Sequence, residues 1–287
     1  MAVFKKAPPV LKIRPVPVFA HRVLVLPLCR NRNYKKDRMK TGIISAMYEE
    51  FDRLLQAVEV EKKTNLGRRE YIEGKLFGHD VVLVFSQWGK TAAASTTANL
   101  INVFGIDRLV FTGVAGGLDA HARIGDIVVA ERLYHHDVNA SPFKPRYFVP
   151  LIGPNGIEAD THTSDLLSEA ARYFAARIKE YISPEDVAEF SLDNVLVHRK
   201  NIATGDQFVK TDEVRERIMN DLPDMYAVEM EGAAVAQVCW EHGVPFAVMR
   251  TISDTANGEA PDDYPKFLVR VASLYSFYII KEFLNKK

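Results

Sequence analysis

Residues 227–234, Ala227-Val228-Glu229-Met230-Glu231-Gly232-Ala233-Ala234, and residues 250–254, Arg250-Thr251-Ile252-Ser253-Asp254, decide how this chain is read. In the first stretch an apolar strand runs into an alanine-rich helix, with two carboxylates around a methionine at the junction. In the second, an apolar strand beginning at Pro245 ends in Arg, Ser and Asp. Acids at the carboxyl ends of neighbouring strands are where an α/β sheet gathers its chemistry. Met47-Tyr48-Glu49-Glu50 adds a third acidic cluster, behind the strand 41–44. Such a set suits a reaction that needs one carboxyl protonated and another ionised.

Outward from these stretches, short apolar runs alternate with longer amphipathic ones. Hydrophobic periodicity predicts strands at 42–46, 69–76, 80–86, 108–112, 126–133, 195–203, 225–228 and 245–252. It predicts helices at 49–56, 90–104, 160–182, 211–220, 232–242 and 264–285. No repeat, low-complexity segment or linker interrupts residues 39–287. The expectation is one α/β domain, a mixed twisted sheet flanked by helices. Gly113-Val114-Ala115-Gly116-Gly117 reads as a loop after a strand. It is not G-x-G-x-x-G, and no Gly-Lys-Ser/Thr follows, so a dinucleotide or P-loop reading is weak. Its small residues would let a ligand approach backbone N–H groups.

Apolar residues make up 47% of the 287 and charged residues 26%, as in a globular protein with a full core. The net charge of zero is unevenly spread. Residues 1–38 hold ten Lys/Arg and one acid, leaving 27 Lys/Arg against 36 acids, a balance of −9, in the rest. An acidic body argues against nucleic acid as partner. The string Arg30, Arg32, Lys35, Lys36, Arg38 and Lys40 reads as a solvated basic tail. Residues 1–38 are expected to form a basic, disordered N-terminal extension, with a leader read from an early start codon or a targeting segment as further readings. No run of 18 apolar residues exists, and 16–29 is interrupted by prolines, His21 and Arg22, so no membrane span is expected. The two cysteines, Cys29 and Cys239, make no disulfide framework and point to a reducing, cytoplasmic setting. Cys239, among Ala236, Val238 and Trp240, reads as a buried structural thiol.

Seven motifs now stand in order. They are Thr41-Gly-Ile-Ile-Ser-Ala-Met-Tyr-Glu-Glu50, Ser86-Gln-Trp-Gly-Lys-Thr-Ala-Ala-Ala94, Thr112-Gly-Val-Ala-Gly-Gly-Leu118, Gly125-Asp-Ile-Val-Val129, Thr204-Gly-Asp-Gln-Phe208, Val228-Glu-Met-Glu-Gly232 and Arg250-Thr-Ile-Ser-Asp254. Together they resemble the 5′-methylthioadenosine/S-adenosylhomocysteine nucleosidases of the nucleoside phosphorylase superfamily. Each motif alone is weak; the ordered set, from Thr41 to the C-terminus, is specific. The resemblance implies a nucleoside phosphorylase-like fold and a homodimer. It also implies irreversible hydrolysis of an N-glycosidic bond to adenine and a 5-thio-ribose, with no metal or organic cofactor.

Breaking that bond leaves a basic adenine anion and a cationic sugar. An acid at purine N7 eases the first; negative charge and a positioned water ease the second. By the resemblance, Asp254 is the acid at N7 and Ser253 orients it. Glu50 is the base for the attacking water, with Ser86 and Arg250 helping to bind that water and Arg250 keeping Glu50 ionised. Glu231 is the ligand of the ribose hydroxyls, with Met230 and Met47 packed on the sugar. Phe208 stacks on adenine, the backbone of Val209 reads its edge, and Tyr264 closes over the 5′ substituent. Glu229 pairs locally. Residues 134–150 reach a dimer interface or the partner's site. A metal site at Tyr134-His135-His136-Asp137 is poor, because adjacent side chains of an extended segment point oppositely.

This chain departs from the pattern at Gln87-Trp88, at Val114 and in the long connection 181–193. These leave the 5′ substituent open, and Trp88 would narrow or extend the sugar pocket. Three rivals stay open: a phosphate-dependent phosphorylase on the same fold, a non-enzymatic nucleoside binder, and a sister hydrolase for 5′-deoxyadenosine or aminodeoxyfutalosine. The phosphorylase needs cations to clamp a phosphate, and neither the glycine stretch nor the Ser86 loop offers an arginine.

Overall fold

The computed structural model describes residues 39–256 and 260–286. The expectations for residues 1–38, including Cys29, lie outside the described residues.

The chain opens with β1 (Thr41–Ser45), α1 (Asp52–Ala57), and a meander of β2 (Glu59–Leu66), β3 (Arg69–Leu76) and β4 (His79–Phe85). Then follow α2 (Lys90–Asn102), β5 (Arg108–Phe111), β6 (Val114–Gly117), β7 (Ile127–His135) and β8 (Ile157–Glu158). Helix α3 (Thr161–Ala175) leads through α4 (Ile178–Tyr181), α5 (Pro184–Glu189) and a 3-10 turn to β9 (Val197–Thr204). The last part holds α6 (Asp212–Asp221), β10 (Met225–Glu229), α7 (Gly232–His242), β11 (Phe246–Asp254) and α8 (Ala260–Phe267). A π-helical turn (Leu268–Ala272) joins α8 to α9 (Ser273–Asn285).

The strands form one mixed sheet in the order β2-β3-β4-β1-β5-β11-β6-β10-β9-β7-β8. Because β7 also pairs antiparallel with β11, the second half closes on itself: β11, β6, β10, β9 and β7 form a ring. β11 is shared by both halves. Phe246–Val248 pair with β5, Met249–Thr251 with β7, and Thr251–Asp254 with β6. A strand paired on all sides and buried along its whole length reads as a continuous apolar run, and Ala247-Val248-Met249 is one. Its polar end, Arg250 to Asp254, is therefore buried where the two halves meet.

Helices cover both faces. On one face α2 packs on α7, where Ala233, Ala234 and Ala236 allow close approach. Thr96 and Thr97 of α2 donate to the carbonyls of Ala92 and Ala93, so their buried hydroxyls are satisfied. Cys239 is buried in this core and unpaired among the described residues. On the other face α3 packs on α9 around Phe174, Phe267, Tyr275 and Phe283. Among the described residues no helix is long and apolar enough to cross a membrane.

Several expected elements differ. The stretch 113–117 is not a loop: Val114–Gly117 is a strand, paired with β10 and β11. The helix expected at 160–182 breaks after Ala175, and the one at 264–285 carries the π turn. β2 went unread because most of its residues face solvent, so no alternation marks it.

Candidate active site

The carboxyl ends of β1, β10 and β11, with residues Val114–Gly116 of β6, surround a cavity of about 340 Å³. Glu50, Glu231, Asp254, Met47, Met230, Ser253, Phe208 and Tyr264 all line it, as do Trp88 and Glu229. Residues far apart in sequence meet there because the closed half of the sheet brings β10, antiparallel to β6, against the parallel pair β6 and β11.

Glu50 precedes α1 rather than lying within it, and it turns back onto the end of β1. Its Oε2 accepts from Ser45 Oγ at 2.5 Å and from the N–H groups of Ala46 and Met47 at 3.1 and 3.0 Å. Its Oε1 accepts from Val114 N at 2.9 Å. A Cβ on Gly113 would stand 2.7 Å from Oε1, so only glycine lets the β5–β6 junction approach this carboxylate. Burial raises the Glu50 carboxyl above its ordinary value. The Ser45 hydrogen bond, the charge of Arg250 and the backbone donors oppose that rise without cancelling it. Arg250 favours the ionised form of Glu50, and desolvation works against it.

Arg250 itself is engaged elsewhere. It is buried over the Phe111 ring, 3.9 Å from guanidinium carbon to ring centroid, and its Nη2 donates to Glu229 Oε2 at 2.7 Å. Glu229 is thus more than a local pair. It also accepts from Thr204 Oγ1 and from the N–H groups of Glu231 at 3.1 Å and Gly232 at 2.7 Å. Its carboxylate ties the open N-terminus of α7 to β9 and β11. Sequence reasoning missed this function. Its one signal was a buried Glu directly ahead of a helix start.

Glu231 follows at the end of the same strand. Its Oε1 accepts from Gly89 N at 2.8 Å; among the described residues its other oxygen has no partner, and the side chain lines the cavity. Burial, and then the neighbouring Glu229 carboxylate, push its carboxyl well above the usual range. Asp254 Oδ2 accepts from Ser253 Oγ at 2.9 Å, and Oδ1 from Ala256 N at 2.9 Å.

The mouth of the cavity is aromatic. Phe208 and Tyr264 meet edge to face at 5.8 Å, and Tyr264 Oη donates to Met47 Sδ at 3.2 Å. Burial, and then the Glu50, Asp254 and Glu231 carboxylates, raise the Tyr264 hydroxyl. Trp88 stands at the rim, 69% exposed, between Gln87 and Gly89, both at positive φ.

Three expected residues fall outside the lining: Arg250, held by Glu229 as above, Ser86 and Val209. Ser86 is buried in the β1–β4 seam, with its hydroxyl 2.9 Å from the carbonyl of Gln87 and 3.5 Å from that of Ser45. The Val209 side chain packs with Val228 and Ala256 behind the cavity. In residues 134–150 the early part is buried in β7, and the exposed feature is Phe143, 89% accessible. His135 meets Gln237, and Asp137 takes Lys90 Nζ at 2.5 Å. Among the described residues no group of three or more His, Cys, Asp or Glu is placed to hold a metal ion.

With this geometry in hand, the chain matches the phosphorylase superfamily over residues 40–285. A 5′-methylthioadenosine/S-adenosylhomocysteine nucleosidase of Shewanella halifaxensis is 35% identical over 245 residues, 84% of this chain and 97% of that protein. The crystal structure of a nucleosidase of that name from Neisseria meningitidis, in complex with methylthio-immucillin-A, superposes with a TM-score of 0.75. It is 32% identical and covers 85% of this chain and 98% of its own. A futalosine hydrolase of Helicobacter pylori superposes at 0.74 with 32% identity, covering 86% of this chain and 97% of its own. The chain belongs to the phosphorylase superfamily, and within it to the family of the 5′-methylthioadenosine/S-adenosylhomocysteine nucleosidases.

Proposed function

We propose that the protein hydrolyses the N-glycosidic bond of 5′-methylthioadenosine and S-adenosylhomocysteine, releasing adenine and a 5-thio-ribose. The observation that carries this reading is the placement of Glu50, Glu231 and Asp254 around one cavity whose described lining holds no Lys or Arg. Asp254, oriented by Ser253, gives its proton to purine N7 as the bond to the sugar lengthens. Glu231 holds the ribose hydroxyls with its open oxygen, beside the developing positive charge. Glu50 takes a proton from the attacking water; a carboxylate held above its ordinary value is the stronger base. Phe208 stacks on the adenine, the Val209 backbone reads its edge, Met47 and Met230 pack on the sugar, and Tyr264 closes over the 5′ end. Arg250 acts through Glu229, by fixing the start of α7 from which Glu231 projects.

Phosphorolysis fits the site less well. A phosphate would need cationic donors, whereas it would meet Glu50, Glu229 and Glu231, and the buried Arg250 is already paired. The likeness to a futalosine hydrolase keeps a second reading, a related hydrolase for another 5′-substituted adenine nucleoside. Adenine release from methylthioadenosine, S-adenosylhomocysteine, 5′-deoxyadenosine and aminodeoxyfutalosine ranks these. The proposal expects the two thioethers to lead, and a preference for aminodeoxyfutalosine contradicts it.

Glu231→Gln is expected to lower kcat/KM on ribosides at least about tenfold more than on 2′-deoxyribosides, since a lost charge-assisted hydrogen bond is worth about 1.5–3 kcal/mol. Parallel rates on both sugars measure the difference, and equal losses would remove Glu231 from the hydroxyl contact.

The working form we infer is a homodimer in the cytoplasm, built by the domain of residues 39–287. Sedimentation should return a species of two chains, and a one-chain mass at micromolar concentration would contradict this.

A further inference from the structure

Two consecutive amides at the open N-terminus of α2 hold carboxylates from two distant segments. Gly89 N donates to Glu231 Oε1 at 2.8 Å, and Lys90 N donates to Asp206 Oδ1 at 2.8 Å. A helix N-terminus favours both charges. Gly89 has a φ of 90°, and a Cβ there would stand 3.0 Å from Asp206 Oδ1, so the turn needs glycine. Glu231 is the carboxylate assigned to the ribose. Asp206 stands two residues before Phe208, the side chain assigned to adenine. Asp137, just past the end of β7, joins the two. Its Oδ1 takes Lys90 Nζ at 2.5 Å, and its Oδ2 accepts from Asp206 N at 2.9 Å. Lys90 Nζ also lies 4.0 Å from Asp206 Oδ2. Burial opposes ionisation of Asp137, but the bonds from Lys90 and Asp206 outweigh it and hold its carboxyl below the usual aspartate range. The residue before it braces the same segment: the buried His136 ring packs so closely on Gly205 that a Cβ there would lie 2.3 Å from Nε2. Lys90, Asp137 and Asp206 thus form a closed ring of bonds between three remote segments, and none of the three lines the cavity.

We propose that Asp137 is a positioning residue that couples recognition of the two halves of the nucleoside: through Lys90 and Asp206 it locks the turn that holds Glu231 to the segment that carries Phe208. The assignment rests on the nucleosidase reading of the cavity. Asp137 touches no reacting atom. Its charge balances the Lys90 ammonium, and its second oxygen seats the Asp206 amide. Without that charge Lys90 Nζ is left to Asp206 alone, and the amide of Asp206 loses an ionised acceptor. The two substrate-holding segments are then no longer fixed to each other, and binding must supply the ordering. Asp254 and Glu50 stand outside the ring, so the cost falls on binding rather than on bond cleavage.

The test measures adenine affinity, and kcat and KM for methylthioadenosine and its 2′-deoxy analogue, with the unaltered protein, Asp137→Asn, Asp137→Glu, Lys90→Met and the double variant Asp137→Asn with Lys90→Met. Loss of a charged hydrogen bond at a half-buried site predicts adenine binding weakened roughly tenfold in Asp137→Asn and KM raised by a similar factor, with kcat changed less than about threefold. The preference for the riboside over the 2′-deoxyriboside should shrink at least about threefold, because Glu231 loses its fixed seat. Lys90→Met keeps the amide that holds Asp206 and should show the same pattern. The double variant should be no worse than either single one, since both delete one interaction, and Asp137→Glu should recover part of the loss. A lower melting temperature with adenine affinity and sugar preference unchanged, or a fall in kcat alone, would overturn the assignment. Should Asp137→Asn not fold, Lys90→Met gives the same readout. If the unaltered protein neither binds nor releases adenine, the nucleosidase reading fails and the assignment with it. If it does both and the variants match it, the coupling alone fails.

Discussion

Asp254→Asn is expected to lower kcat by at least about 10²-fold, as for loss of a general acid, while leaving the fold and substrate affinity nearly unchanged. The surroundings of Asp254 make this substitution unusually clean. The asparagine oxygen can keep the bond from Ala256 N. The amide N–H can donate to Ser253 Oγ, whose own hydrogen can turn to the Ala115 carbonyl, already 3.3 Å away. Gly116, whose Cβ would fall 2.9 Å from Oδ1, leaves room for the change. What disappears is the transferable proton. Thermal melting should therefore move little. A 5′-methylthioriboside with a far less basic leaving group than adenine should lose much less rate than methylthioadenosine. Near-normal turnover of methylthioadenosine would remove Asp254 from the mechanism.

Glu50→Gln should be as damaging to the rate, by about 10²–10⁴-fold for a lost general base, and harder on the structure. Both Glu50 oxygens accept backbone N–H groups, so the amide nitrogen must face a donor at Val114 or at Ala46 and Met47. That mismatch costs about 1–3 kcal/mol, read separately as a lower melting temperature. The pH profile of the unaltered protein supplies the control. A base with a raised carboxyl is ionised only above its folded value. The acid limb of kcat/KM should therefore fall as pH drops through an apparent pKa above glutamate's ordinary 4.5. A profile flat down to that value would contradict the role given to Glu50.

Much of this site was legible in the sequence, because its residues stand at strand ends and strand ends are marked by apolar runs. Met47, Glu50, Phe208, Met230, Glu231, Ser253, Asp254 and Tyr264 do reach one cavity. What escaped was non-local. Arg250 had three carboxylates within conceivable reach, and only the way β11 crosses both halves of the sheet selects Glu229. The Ser86 hydroxyl is turned by a local bond to the next carbonyl, which a motif position does not specify. The strand Val114–Gly117 has two glycines in four residues and no side-chain alternation, so its pairing with β10 and β11 left no trace to read. β2 is an edge strand with mostly exposed residues, and exposure erases the same signal. The break after Ala175 falls between buried Phe174 and buried Ile178, four positions apart, so the apolar spacing continues although the helix does not.

The central claim is that water, not phosphate, takes the sugar. The most direct measurement is the hydrolysis of methylthioadenosine in ¹⁸O-labelled water, with and without phosphate, followed by mass spectrometry of the sugar product. The account predicts adenine release at the same rate in both buffers and one ¹⁸O at C1 of free methylthioribose. Release only with phosphate, giving an unlabelled sugar 1-phosphate, would contradict it and would reassign Glu50 from water base to another task.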